Sequence, residues 1–134
     1  MTDFKWLIGD RIASAQFETQ TGTWQIVFQS GATLRIECIW RLFEDEIICS
    51  TSSDHGHRFG QSKDFNGVAA LQEMTQYTIE SVRVRPEAGD LFIKLGPMFV
   101  LEVISTSAGY EPWQITHPKL GTVVASGGKL HRFS

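Results

Sequence analysis

The chain has 134 residues, 42% hydrophobic, 11% aromatic and 20% charged, with 15 acidic against 12 basic side chains and a formal charge of −3. That length and apolar content suffice for one buried core, which excludes a disordered chain and makes 1–134 a single expected domain. The near balance of charge excludes the basic stripe that nucleic acid requires.

The opening "MTDFKWLIGDRIAS" has neither the basic flank nor the apolar run of a secretory leader. No later stretch reaches the roughly 18 apolar residues of a membrane helix, so a cytoplasmic protein is expected. Strands then open the chain at 11–18 and 23–29. In the second, Trp24, Ile26 and Phe28 alternate with Gln25, Val27 and Gln29, the period of two of a strand covered on one face. Gly31 can take the positive φ of a tight turn. Beyond it, 32–41 reads as one strand that alternates Leu34, Ile36, Cys38 and Trp40 with Arg35, Glu37 and Ile39.

A turn over Phe43–Glu46 in "LFEDE" leads to a strand over 46–52. On that register Cys38 faces Thr51 and Cys49 faces Trp40, which leaves the thiols diagonal neighbours, near enough to bridge without requiring it. Two cysteines cannot form the dense framework of a small secreted domain, so reduced thiols are expected. Glu44, Asp45 and Glu46 crowd the turn. Carboxylates used for acid–base work need a concave site that shifts their pKa values, and a protruding turn lacks one. They are expected to be solvated, or to form a contact surface for a basic partner.

"SSDHGHRFGQSKD", residues 52–64, is the longest polar loop, and its Asp54, His55 and His57 form the densest group of metal-ligand side chains. Zinc takes three or four converging ligands; "DHGH" offers at most three, without Cys and without helical spacing. A solvated loop with a histidine bonded to nearby backbone is therefore preferred, and metal binding is the lesser reading. His117 and His131 stand far along the chain.

"DFNGVAALQEMTQY", residues 64–77, offers Asp64 or Asn66 as N-cap and sets Val68, Leu71 and Met74 on one side of a helix, weakened slightly by Gly67. Its expected role is to cover a sheet face while linking the halves 1–63 and 64–134. Strands follow at 79–86, 90–95, 98–105 and 112–117, then "TVVA" and "KLHRF" around Gly127-Gly128. Laid over the first half at an offset of 67, this half matches Ile12 with Ile79, Gly22 with Gly89, Ile26 with Ile93 and Leu34 with Leu101. The expectation is an α+β fold, mostly antiparallel β, of two similar four-stranded meanders joined by one helix.

Trp24 follows the inward register, whereas Phe92 lies on the opposite face from Leu91 and Ile93, as a partner contact or under the helix. No phosphate loop, zinc-protease helix or nucleophile elbow occurs, and both cysteines lie in apolar strands rather than where a thiolate is stabilised. An enzyme is not expected, and neither a cofactor nor a bound metal is.

"SAGYEPWQITHP" followed by "VVASGGKLHRF" resembles the ending of a group of small bacterial proteins, mostly of unknown function, over the part of the chain from Gly89 onward. Some similar small β-rich proteins are immunity proteins, which neutralise toxins by direct binding. The resemblance implies a non-enzymatic inhibitor of a toxin, with Glu44, Asp45, Glu46, Asp54, His55 and His57 as contacts to a basic toxin domain. Two alternatives stand beside it: a small ligand- or metal-binding enzyme using the 54–57 loop, and a structural subunit that oligomerises through sheet edges.

Overall fold

The structure is a computed structural model and describes residues 4–56, 66–105, 111–126 and 129–133. Eleven strands in these residues form two antiparallel sheets. The first half contributes β1 (Ile12–Glu18), β2 (Thr23–Phe28), β3 (Thr33–Ile36), β4 (Ile39–Glu44) and β5 (Ile47–Thr51). The second contributes β6 (Ile79–Val84), β7 (Leu91–Leu95), β8 (Phe99–Ile104), β9 (Trp113–His117), β10 (Gly121–Ser126) and β11 (Lys129–Phe133). One sheet runs β1-β2-β3-β9-β10-β11 and the other β5-β4-β8-β7-β6.

This order corrects the expectation of two four-stranded meanders. Each half runs three strands as a meander and then crosses into the other half's sheet, so β4 pairs with β8 and β9 with β3. The stretch 32–41 is accordingly two strands, broken at Glu37 and Cys38. Leu34 and Ile36 are buried from one sheet, Trp40 and Leu42 from the other, and all four belong to one core. The alternation passes through the crossover without interruption because both inner faces point at that core. Glu37 N–H donates to the Pro112 carbonyl at 2.7 Å, tying the first crossover to the residue before β9.

The registers of the two meanders agree residue by residue. Phe17, Ala15 and Ile12 oppose Trp24, Ile26 and Phe28; Val84, Val82 and Ile79 oppose Leu91, Ile93 and Leu95. The pairing shifts between Ile12 and Ser14 in β1 and between Ile79 and Ser81 in β6. Gly22 and Gly89 take φ of 73° and 74°, and their N–H groups donate to the Glu18 and Arg85 carbonyls, each at 2.8 Å. A single antiparallel bridge, Arg11 to Thr78, joins the starts of the two meanders.

The helix is shorter than the sequence suggested. α1 spans Gly67–Gln72 and tightens into a 3₁₀ turn over Glu73–Gln76, so the fold is mostly β with one short helix. Asn66 is its N-cap, with Oδ1 accepting from Val68 N–H at 2.9 Å and Ala69 N–H at 3.3 Å; Asp64, the other expected cap, lies outside the described residues. α1 packs against β1 and β5, the lateral strands of the two sheets, rather than across a sheet face. Leu71 and Met74 are buried there. Among the described residues no helix is long and apolar enough to cross a membrane.

Candidate functional site

The acidic turn is a two-residue hairpin, not the expected four-residue one. Glu44 pairs with Ile47, and Asp45 and Glu46 carry φ of 49° and 71°, the twist of a type I′ turn that matches the flanking strands. Asp45 N–H donates to the Met98 carbonyl at 2.8 Å, which pins the tip to the β7–β8 turn. All three carboxylate residues are exposed. Beside them stand Ile47, 71% exposed, and Ile48 and Met98, each 46% exposed. These apolar neighbours were not identified from the sequence, although "EII" breaks the alternation: with two successive isoleucines in a strand, one must face away from the core.

Asp54 and His55 lie at the other end of β5 from that turn, about 16 Å away at the rise of an extended strand. The structure therefore sets the two expected contact groups along one sheet edge without bringing them together. Thr51 Oγ1 donates to Asp54 Oδ2 at 3.0 Å and accepts from Asp54 N–H at 3.2 Å, closing a 3₁₀ turn over Ser52–Asp54. His55 Nδ1 accepts from Gly67 N–H at 3.0 Å, and its ring lies edge-on to Trp24 and Phe17 with centroids 5.0 and 4.9 Å apart. This half-buried histidine joins the loop to the start of α1, and its Nδ1 is engaged. His57 lies outside the described residues.

The distant histidines go elsewhere. His117 Nδ1 accepts from Lys119 and Leu120 N–H, and its ring packs on Trp6 at 5.0 Å; His131 is exposed on β11. Among the described residues no three His, Cys, Asp or Glu side chains gather as metal ligands would. A shallow hollow of about 220 Å³ over β1 and β2 is lined by Gln16, Phe17, Glu18, Thr23 and Gln25. Its described lining holds one carboxylate, Glu18, opposite Thr23 across the β1–β2 pair, and no histidine or cysteine.

Both cysteines are free thiols. Cys38 occupies the β3–β4 crossover, and Cys49 is the extra residue of a bulge, since Leu42 opposes Ser50 while Phe43 opposes Ile48. The diagonal placement drawn from the longer turn is thus replaced, and Cys49 Sγ instead donates to the Leu42 carbonyl at 3.3 Å. Burial, with Asp90 and Glu37 adding negative charge, pushes the Cys38 thiol from 9.0 up to about 12. Because the folded value lies above the ordinary one, the protonated thiol's stabilisation is complete below pH 9 and is lost as pH climbs toward 12. Burial also raises Cys49, which is nonetheless exposed. Alkylation near neutral pH should modify Cys49 first and leave Cys38 intact until the chain unfolds, as read by mass; two equally fast additions would contradict the packing at the crossover.

Phe92 is half-buried with the Arg83 guanidinium 4.4 Å above its ring, and Arg41 sits 5.3 Å over Phe43. Arg41 also bonds Glu102 through both Nε and Nη2. Phe92 is therefore covered by a neighbouring strand's arginine and not by α1, which packs at β1 and β5. No family model, curated protein or solved structure matches this chain.

Proposed function

We propose that this chain is a non-enzymatic binding protein of the immunity type, which holds a basic protein partner through the acidic β4–β5 turn. The observation that carries the reading is that turn itself: three exposed carboxylates on a rigid two-residue hairpin, flanked by exposed Ile47, Ile48 and Met98. Carboxylates steer a basic partner into place, and apolar side chains beside them supply the contact that holds it. Because the backbone is already fixed by strand pairing and by the bond to Met98, little ordering entropy opposes binding. Asp54 and His55 belong to the scaffold in this reading, since both are engaged by neighbouring groups.

The reading includes a bacterial, cytoplasmic setting, which the two unbridged thiols suit. It also includes an internal duplication, supported by the common registers of the two meanders, their pairing shifts at matching positions and the paired turns at Gly22 and Gly89.

The test is capture from the native host, followed by titration of the partner obtained. Glu44→Lys with Glu46→Lys should weaken binding by about tenfold or more, chiefly through slower association, with the loss shrinking at high salt. Co-expression of the unaltered chain should relieve the partner's toxicity. A captured partner whose affinity ignores the reversal, or a chain that protects no host cell, would refute the assignment.

A further inference from the structure

The first turn of a helix has N–H groups with no partner inside the helix, and α1 satisfies all of its own from outside. Val68 and Ala69 N–H donate to Asn66 Oδ1, and Ala70 N–H donates to the Asn66 carbonyl. The remaining one, Gly67 N–H, donates to His55 Nδ1 at 3.0 Å, so one of the partners is a side chain that can change charge. A ring nitrogen accepts only while it is unprotonated, and this bond therefore belongs to the neutral imidazole with its proton on Nε2. In the imidazolium both nitrogens donate, and two N–H groups point at each other.

The packing leaves little room for either partner to turn. Gly67 is buried, and an added Cβ there meets Trp24 at 2.7 Å and Trp40 at 3.2 Å. The imidazole stands edge-on to Phe17 and Trp24, with centroids 4.9 and 5.0 Å away. A buried N–H that has lost its acceptor is costly, so protonation of the ring drives the first turn off its seat. The charges described around the ring do not hold a proton away. β1 brings Glu18 next to Phe17, the Ser52–Asp54 turn brings Asp54, and the 3₁₀ turn after α1 brings Glu73. β2, β5 and α1 carry no charged side chain, and Arg41 of β4 is paired with Glu102.

We propose that His55 is a proton-operated latch: neutral, it holds the first turn of α1 on the Trp24–Trp40 pair, and protonated, it lets that turn go. Because α1 packs on β1 and β5, the latch sets how firmly the helix covers the lateral strands of the two sheets. His117 also accepts through Nδ1, from Lys119 and Leu120 N–H. Those donors lie two and three positions away, so losing them loosens only its own turn, whereas His55 reaches across twelve positions.

Amide exchange on the full chain at about pH 8 and pH 5, the interval in which histidine ordinarily changes charge, tests the latch once corrected for the intrinsic pH dependence of exchange. It involves no partner, so its outcome is independent of the toxin-binding reading. Protection of the Gly67 amide should fall about tenfold on acidification, the worth of one hydrogen bond, while that of Ile26 within β2 holds. The near-ultraviolet circular dichroism of the tryptophan pair should change in step, and ring nitrogen-15 shifts should show the Nε2–H tautomer of His55 at the higher pH. His55→Asn, whose Oδ1 accepts at either pH, should keep Gly67 protected at both; His55→Phe, with no acceptor, should leave it unprotected at both. Equal protection of Gly67 at the two pH values overturns the proposal, as does a loss shared by Ile26. A loss that persists in His55→Asn also overturns it and assigns the pH response to another group.

Discussion

Gly67→Ala should lower the free energy of unfolding by about 2 kcal/mol, although alanine is the better helix residue by about 1 kcal/mol. A Cβ built at this position falls 2.7 Å from Trp24 Cη2 and 3.2 Å from Trp40 Cζ2. Neither ring can retreat easily: Trp24 is 3% exposed and Trp40 fully buried, and they meet edge to face with centroids 5.1 Å apart. The helix cannot simply rise, because Gly67 N–H is bonded to His55 Nδ1 and Leu71 is buried one turn on. Denaturant titration gives the stability, and near-UV circular dichroism reports the tryptophan pair. A variant as stable as the parent, with an unchanged tryptophan spectrum, would show that α1 is free to shift.

The largest losses are expected at Trp113 and Trp40, where truncation to alanine should cost about 3–5 kcal/mol each. The informative comparison is the milder change to phenylalanine. The two residues occupy similar places: Trp113 opposes Ile36 across β9 and β3, and Trp40 opposes Val103 across β4 and β8. Both are buried, at 1% and 0% exposure, so the volume lost is the same. Their indole N–H groups differ. Trp113 Nε1 donates to the Gly89 carbonyl at 2.7 Å, whereas Trp40 Nε1 has no partner among the described residues. Trp113→Phe forfeits a buried hydrogen bond and Trp40→Phe removes an unsatisfied donor, so the first should be the costlier by about 1–2 kcal/mol. Equal losses in urea titration would count against the Gly89 bond contributing to stability.

Strand positions were legible in the sequence because burial on one face imposes a period of two, and Trp24, Ile26 and Phe28 follow it as expected. Sheet membership was not legible. Leu34, Ile36, Trp40 and Leu42 keep one alternation while changing sheets, since the period records which side of the backbone meets the core and nothing about the neighbouring strand. Gly67 looked like a weak point in a helix because propensity is local, while its reason is two indole rings brought from distant strands. At the candidate site, the acidic turn could be read from composition, but its shortness depended on Asp45 and Glu46 accepting positive φ. A backbone bond for a histidine of the 54–57 loop could be expected from the sequence, but not that His55 would find its partner in a backbone N–H twelve positions onward.

The exchange of strands between halves dictates when this chain can finish folding. β3 finds its second neighbour only in β9, and β4 finds one of its two in β8, so both wait on segments synthesised much later. A ribosome that has released only the first half holds a three-stranded hairpin array with β3 open along one side, and such edges recruit other nascent chains. Closure across such long loops is slow, which favours emergence of nearly the whole chain before either sheet is sealed. By the same logic the two halves, made as separate fragments, should be insoluble alone and reconstitute the fold when refolded together.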